Sequence, residues 1–197
     1  GLVTYSVMLK GFTGLSPITF LKKMEDAIMF AFSTASSNAT IPVTMETAKN
    51  RMGVENRISS FTVPLGATVN MDGTAIMQGV ATAFIAQAFN IDLTMGDYMM
   101  VILTATLASI GTAGVPGVGL VMLAMVLNQV GLPLEGIALI MGVDRLLDMI
   151  RTAVNITGDS AVTVIVAKSE GALNEERFND PMAGVKEEEV HLKQSNA

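Results

Sequence analysis

The chain has 197 residues, of which 50% are hydrophobic and only 15% are charged, and its formal net charge at pH 7 is −6. Soluble domains carry about 25% charged residues, so this deficit, with a positive mean hydropathy, favours a membrane protein with several spans. The chain contains no cysteine, which excludes disulfides and thiolate metal sites, and its one histidine, His191, lies in a charged tail, which argues against histidine-based catalysis.

The first predicted elements are the end of a helix and a helical hairpin. Residues 1–12 are largely apolar and indicate the end of a transmembrane helix; with no initiator methionine and no signal peptide, we expect a longer protein that is cut at its N-terminus. Residues 17–33 predict an amphipathic helix too short and too polar to span a bilayer. A serine-rich break at 35–42 separates it from a second short helix. We therefore assign residues 13–56 to a re-entrant hairpin followed by a basic cytoplasmic loop.

The apolar segments that follow are also interrupted. Residues 57–92 predict a transmembrane helix that unwinds at NMDGT, residues 70–74. Residues 93–130 predict a second re-entrant hairpin with its tip in the Gly/Pro-rich stretch 109–117, and residues 131–168 predict a last long transmembrane helix. For one break alone, a kinked ordinary span is the better interpretation. Three polar breaks in one chain favour hairpins that line a transporter binding site, because unpaired backbone at depth must border a cavity or protein.

Basic residues set the expected orientation. Lys49, Arg51 and Arg57 follow the first hairpin, whereas the loops at 90–97 and 128–133 contain no Lys or Arg. By the positive-inside rule, the first hairpin enters from the cytoplasm and the second from outside. The predicted fold is therefore an all-α integral membrane protein with broken transmembrane helices and two opposed re-entrant hairpins, which form an inverted repeat.

The end of the chain has a different composition. Residues 169–197 hold seven acidic and three basic residues, with one proline. Such a stretch buries little apolar surface, so we predict an acidic, disordered, cytoplasmic tail.

The last long helix carries a polar face. Asp144, Asp148, Arg151, Asn155 and Asp159 are spaced three or four residues apart, so they share one side of a helix with apolar flanks. Ionisable groups inside apolar, membrane-length segments are rare and costly. This face therefore predicts a site for something charged that crosses a bilayer.

The chemistry of this face fits an acidic amino acid. Arg151 suits bidentate capture of a carboxylate, Asp148 can take an ammonium, and Thr152 and Asn155 can hydrogen-bond a second carboxylate. The helix ends at residues 36–38 can add N–H donors for an anion. The alternative is an internal salt bridge between Asp148 and Arg151.

A second group of residues suits a hard cation. Asp72 is surrounded by Thr68, Asn70 and Thr74, and an unwound turn there offers backbone carbonyls as well. Oxygen-rich pockets with a carboxylate favour such ions, and Na⁺ is the expected one. The alternative is that Asp72 and Asp159 pair with a buried arginine.

Several motifs in order resemble the glutamate transporter (sodium:dicarboxylate symporter) family, from about residue 3 to residue 168. They are SSN at 36–38, TIPVTM at 40–45, NMDGT at 70–74, ASIGTAGVPG at 108–117 and DMIRTAVNITGD at 148–159. The resemblance covers only the C-terminal half of such a protein. It implies an elevator-type transport domain that moves against a homotrimeric scaffold, whose helices are missing here, with the second hairpin as the extracellular gate.

The resemblance also implies the site residues. Substrate would be bound by Ser36, Ser37, Thr74, Thr112, Ala113, Gly114, Val115, Pro116, Asp148, Arg151, Thr152 and Asn155. Co-transported Na⁺ would be bound by Gly66, Thr68, Asn70, Asp72, Ser109, Ile110, Thr112, Asn155 and Asp159. Two positions depart from common family patterns, since Ala35 and Met149 stand where prokaryotic and animal relatives, respectively, often carry arginine.

The predicted function is symport of L-aspartate or L-glutamate with Na⁺ through a multi-pass protein of the cell membrane, with no nucleic-acid partner and no enzyme activity. Within the family, a neutral amino acid carrier is expected to lack Arg151, and a C4-dicarboxylate carrier to lack Asp148. Coupling to protons stays open.

A remote alternative is an intramembrane aspartyl protease with Asp72 and Asp159 as its dyad, although residues 157–159 lack the first glycine of its Gly-x-Gly-Asp pattern. A passive channel is a third class.

Overall fold

The computed structural model describes residues 1–185, and apart from one isolated β-bridge its regular structure is helical, which confirms the all-α prediction. Within this range no single helix is both long enough and apolar enough to cross a membrane. The helices are α1 (Leu2–Thr13), α2 (Pro17–Lys23), α3 (Glu25–Thr34), α4 (Ser37–Glu46), α5 (Asn56–Val69), α6 (Asp72–Ala88), α7 (Met95–Ser109), α8 (Val118–Gln129), α9 (Ile137–Met141), α10 (Asp144–Ser169) and α11 (Glu175–Asn179), with a π-helical turn at Thr47–Arg51 and a 3₁₀ turn at Leu134–Gly136.

Local sequence signals begin and end several of these helices. Gly14 ends α1 in the left-handed conformation, with φ of 73°. Ser16 caps α2, which has Pro17 in its first turn. Thr94 and Asp97 form a reciprocal capping box at the start of α7.

Two helical hairpins bring their tips toward the middle of the molecule. Helices α3 and α4 are joined at Ala35 and Ser36, where Ala35 takes a left-handed φ of 51° and so reverses the chain. The Ser36 hydroxyl caps α4 by accepting from the N–H of Ala39 at 3.2 Å. Helices α7 and α8 are joined by residues 110–117, which contain three glycines and a proline. We call these pairs hairpin 1 (α3–α4) and hairpin 2 (α7–α8), and we call α2 together with residues 47–55, which flank hairpin 1 in the chain, the base of hairpin 1.

Helix α10 runs through the centre and packs against α1, α3, α5 and α6. One apolar core lies between α10, α1 and the base of hairpin 1, and a second lies between α6, α8 and α9. The first includes Phe20, Met24, Met52, Ile156 and Phe178, and the second includes Ile85, Leu123, Leu127, Leu132 and Ile140. Both cores hold the polar face of α10 in place between the hairpins.

The prediction of one long helix over residues 131–168 is wrong at its start. A 3₁₀ turn and the short α9 come first, and α10 begins only at Asp144. Gly142 costs about 1 kcal/mol of helix propensity relative to alanine, and the N–H of Val143 bonds back three residues, to the carbonyl of Ile140 at 3.0 Å. The break gives α10 its own N-terminus, with Asp144 in the first turn.

The prediction of a disordered tail from residue 169 is also wrong over residues 170–180, which we call the C-terminal strap. Its backbone pairs with residues 53–55, at the base of hairpin 1. The N–H of Glu55 donates to the carbonyl of Ala172 at 3.0 Å, and the N–H of Asn174 donates to the carbonyl of Gly53 at 2.8 Å. The ring of Phe178 is fully buried in the first core. Apolar anchors among the charged residues fold this segment, and residues 186–197 of the predicted tail lie outside the described range.

Lys23, the last residue of α2, joins the strap to the base of hairpin 1. Its side chain is buried, and its ammonium donates to the carbonyls of Arg51, Arg177 and Asp180 at 2.6, 3.1 and 2.8 Å. Three carbonyl acceptors compensate the ammonium for its lost hydration. The base of hairpin 1 is thus tied to the chain beyond α10.

Candidate substrate and ion site

The polar face of α10 is buried along its length. Asp148, Arg151, Thr152, Asn155 and Asp159 each expose 5% or less of their surface. Because charged side chains are rarely buried without partners, the contacts of this face indicate what it does.

Arg151 and Asp148 form a close pair. The Nε of Arg151 donates to Oδ1 of Asp148 at 2.9 Å, and its Nη1 lies 3.8 Å from Oδ1 of Asp144. That Nη1 is buried and has no hydrogen-bond partner among the described residues. The internal salt bridge considered from the sequence is therefore present, and it leaves the Nη1 group of the guanidinium unused. Such a donor is suited to an added anion.

Hairpin 2 closes over this pair. The N–H of Gly117 donates to the second carboxylate oxygen of Asp148 at 2.8 Å. Gly119 of α8 lies against the guanidinium of Arg151, where any side chain would overlap it. Asp148 therefore links the charged face of α10 to the tip of hairpin 2.

The broken helix α5–α6 docks on the same face. The amide oxygen of Asn155 accepts from the N–H of Gly73 at 2.8 Å, and its amide nitrogen donates to the Thr74 hydroxyl at 3.4 Å. A Cβ on Gly73 would lie 2.5 Å from the carbonyl oxygen of Arg151. Only glycine allows the two backbones to approach this closely.

A small cavity lies where these elements meet. Its free volume of about 10 Å³ is at the lower limit for a single water molecule. Ten of the twelve predicted substrate residues line it, whereas Ser36 and Pro116 do not. The lining residues are Ala35, Ser37, Met71, Thr74, Thr112, Ala113, Gly114, Val115, Val118, Gly119, Asp148, Arg151, Thr152 and Asn155. An amino acid is much larger than this space, so the elements around the cavity are closed on one another.

Oxygen ligands predicted for a cation meet at Asp159. Its Oδ1 accepts from the side-chain amide of Asn70 at 2.9 Å. A Cβ on Gly66 would lie only 2.5 Å from that same oxygen, so α5 touches the carboxylate directly. Asn155 is one turn away on α10. Neither Asp159 nor Asp72 is paired with Arg151, whose carboxylate partners are Asp144 and Asp148.

Asp72 has a partner that the sequence did not indicate. The hydroxyl of Tyr5 on α1 donates to Oδ2 of Asp72 at 2.7 Å, across 67 residues of chain. Tyr5 is buried, although Asp72 itself is exposed in this structure. Tyr5 is one of only two tyrosines in the chain. Its position in an apolar stretch is the one feature of the sequence that could have indicated a buried hydroxyl in need of a partner.

The remaining predicted cation ligands lie at the start of the hairpin 2 tip. The carbonyl of Thr68 accepts from the N–H of Gly111 at 3.0 Å, which joins the end of α5 to the tip. The hydroxyls of Thr68 and Ser109 donate to carbonyls of their own helices, the hydroxyl of Thr112 donates to the carbonyl of Ala108 at the end of α7, and Ile110 is exposed. Each of these hydroxyls donates its proton to a carbonyl and keeps oxygen lone pairs that could face an ion.

Within residues 1–185 no three carboxylate, histidine or cysteine side chains come together as metal ligands. The oxygen groups described above pair single carboxylates with amides and carbonyls. Groups with a single carboxylate suit weakly bound monovalent ions better than divalent ions, because the site supplies little formal negative charge.

Comparisons with known proteins identify the family of this chain. The sequence profile of the sodium:dicarboxylate symporter family matches residues 1–169. The chain belongs to this family. It is 47% identical over 154 residues to an excitatory amino acid transporter of Caenorhabditis elegans, which covers 78% of this chain and 31% of that protein. The resemblance seen in the motifs is therefore confirmed.

Two further relatives show the breadth of the sodium:dicarboxylate symporter family. The chain is 48% identical over 153 residues to excitatory amino acid transporter 3 of Oryctolagus cuniculus, covering 78% of this chain and 29% of that protein. It is 42% identical over 164 residues to the proton/sodium-glutamate symport protein of Geobacillus stearothermophilus, covering 83% and 39%. The chain thus spans about a third of the length of the curated relatives it matches.

Membership in the symporter family decides one alternative. The family consists of membrane transporters and not of enzymes. The aspartyl protease interpretation of Asp72 and Asp159 is therefore wrong, and the two carboxylates belong to a transport protein.

Proposed function

We propose that the full-length protein is a secondary symporter that carries L-aspartate or L-glutamate together with Na⁺ across the cell membrane. The observation that carries this proposal is the buried pair of Asp148 and Arg151, enclosed by both hairpin tips and α6. A cation and an anion at 2.9 Å, with an unused guanidinium donor, complement a zwitterion that carries one additional carboxylate.

The residue set favours an acidic amino acid over other family cargoes. Arg151 supplies the contact for a side-chain carboxylate, which a neutral amino acid lacks. Asp148 supplies the contact for an amine, which a C4-dicarboxylate lacks. Thr152 and Asn155 lie on the same buried face and serve the α-carboxylate.

The cations would travel in the oxygen groups around α10. We assign one Na⁺ to Gly66, Asn70, Asn155 and Asp159, where the Asn70 amide already contacts the Asp159 carboxylate at 2.9 Å. We assign the others to the carbonyls near Thr68 and hairpin 2, and to Asn70 with Asp72. As cargo rather than resident cofactors, these ions would neutralise carboxylates that hydrocarbon otherwise disfavours.

The wider mechanism follows the family. Hairpin 2 would open outward to admit solute and close through contacts with Asp148, and the whole helical unit would then move against a homotrimeric scaffold. The strap would face the cytoplasm. Proton coupling is the second candidate, because one relative is named a proton/sodium-glutamate symport protein.

Uptake by the full-length protein in liposomes tests the proposal. We expect radiolabelled L-aspartate or L-glutamate to accumulate when external Na⁺ exceeds internal Na⁺, and accumulation to stop when choline replaces Na⁺. Equal uptake in choline would refute sodium coupling, and accumulation driven by a pH gradient alone would establish the proton-coupled alternative. Uptake of succinate, with no uptake of either amino acid, would contradict the assigned substrate class.

A further inference from the structure

The tips of the two hairpins are hydrogen-bonded to each other. The carbonyl of Gly114 in hairpin 2 accepts from the hydroxyl of Ser36 at 2.7 Å and from the N–H of Asn38 at 3.1 Å, both in hairpin 1. Ser36 and Gly114 are buried, and 78 residues of chain separate them. These two bonds cross the cavity rim from one hairpin to the other.

Gly114 is shaped for this contact. A Cβ at this position would lie 2.7 Å from the side-chain oxygen of Asn38 and 3.0 Å from its backbone nitrogen. Any other residue would push the tips apart, because one of the atoms in its way is backbone.

The single proton of the Ser36 hydroxyl is used by these contacts. It accepts from the N–H of Ala39 at 3.2 Å, which caps α4, and it donates its proton across to Gly114. Ser36 does not line the cavity, unlike its neighbour Ser37. The side chain therefore has no proton left for a carboxylate of the solute.

We propose that Ser36, with the N–H of Asn38, forms a latch that holds the tip of hairpin 2 closed, and that Ser36 is a positioning residue and not a substrate ligand. The inference rests on the proposed function, since it concerns closure of that same site. Closure then has two attachments. Asp148 holds Gly117 from α10 and also lines the cavity, whereas Ser36 holds Gly114 from outside the cavity lining.

This division of contacts has a measurable effect on affinity. One net hydrogen bond changes the ratio of open to closed tips by about two- to tenfold. If only the closed form binds tightly, losing the latch weakens every ligand by the same factor. The apparent affinities for L-aspartate and L-glutamate therefore fall together in Ser36→Ala, with their ratio unchanged.

A thiol at the cavity wall reports opening directly. Ala35 is buried and lines the cavity, and this chain contains no cysteine, so Ala35→Cys introduces the only thiol within these residues. The full-length protein with Ala35→Cys is treated with a methanethiosulfonate reagent in Na⁺ without amino acid, and the protein without Ala35→Cys gives the background.

Four variants separate the latch from the helix cap. We expect labelling about two- to tenfold faster in Ser36→Ala, and near the reference rate in Ser36→Thr, which keeps the hydroxyl. Ser36→Asp keeps an acceptor for the cap but has no proton for Gly114, so it should also label fast. Ser33→Ala removes a hydroxyl that bonds only within α3, to the carbonyl of Met29, and should leave the rate unchanged.

Two outcomes would overturn the latch. One is equal labelling in Ser36→Ala and Ser33→Ala. The other is fast labelling in Ser36→Ala with slow labelling in Ser36→Asp, which would assign the effect to capping of α4. Adding L-aspartate to the Ala35→Cys protein tests the proposed function separately: if labelling does not slow, that function fails, and the comparison made without amino acid still decides the latch.

Discussion

At the scale of single residues, Arg151 shows why charge alone does not define this site. Its guanidinium is buried and bonds to Asp148 through Nε, and its Nη1 has no hydrogen-bond partner among residues 1–185. A planar, forked donor can hold Asp148 and a carboxylate at the same time. The ammonium of a lysine offers no such fixed fork.

We therefore expect Arg151→Lys and Arg151→Ala to lower the affinity for L-aspartate by about 100-fold or more, because two charge-assisted hydrogen bonds are lost. Equilibrium binding of labelled aspartate to the full-length protein in Na⁺ measures this. Arg145→Ala is the control, since Arg145 is exposed on the same helix. Full affinity in Arg151→Ala would contradict the assigned role.

A second residue, Gly73, fixes the distance between α6 and α10. A Cβ there would lie 2.5 Å from a backbone oxygen of Arg151, whereas a Cβ on Gly79 of the same helix meets nothing within 4 Å. We expect Gly73→Ala to lower the free energy of unfolding by about 1–3 kcal/mol, as overpacking does.

Gly79→Ala should be neutral or raise stability by up to about 1 kcal/mol through helix propensity. Thermal unfolding followed by circular dichroism compares the two variants. Equal melting temperatures would show that α6 and α10 adjust freely to each other.

At the scale of elements, the two hairpins resemble each other but are anchored differently. The base of hairpin 1 is tied to the strap by Lys23 and by backbone hydrogen bonds. The start of hairpin 2 has its own capping box at Thr94 and an exposed first turn. Hairpin 1 therefore has more attachments at its base than hairpin 2, which agrees with the proposal that hairpin 2 is the element that opens.

Phe178 is the main apolar anchor of the strap. We expect Phe178→Ala to cost about 3–5 kcal/mol of stability, as for other fully buried phenylalanines, and to lower the melting temperature of the full-length protein. Met182→Ala is the matched control, because Met182 is 46% exposed just beyond the strap. An unchanged melting temperature in Phe178→Ala would mean that the strap contributes nothing to the fold.

The sequence predicted hairpins and breaks better than it predicted the strap. Gly, Pro and small polar residues interrupt helices for local reasons, so the tips at 35–36 and 110–117 were visible in the pattern. Leu173 and Phe178 stand alone among charged residues, and their burial depends on a surface formed by distant segments. The many charged residues of this segment therefore led to a prediction of disorder in spite of its two apolar anchors.

At the scale of the whole molecule, long-range contacts are what the sequence could not supply. The spacing of Asp148 and Arg151 placed them on one face, but the bond from Asp148 to Gly117 depends on where the tip of hairpin 2 comes to rest. The bond between Tyr5 and Asp72 likewise joins α1 to the helix break. The periodicity of a sequence predicts which residues share one face of a helix. The residues that this face contacts are known only from the packed fold.

The pairing of Asp148 with Arg151 also bears on travel without solute. A lone guanidinium moved through hydrocarbon would carry a large solvation penalty, of the order of 20 kcal/mol in the idealised limit. Held by Asp148 at 2.9 Å, it moves as one half of a dipole instead. If the protein works as the proposed carrier, this pairing lowers the electrostatic cost of returning the empty site across the membrane.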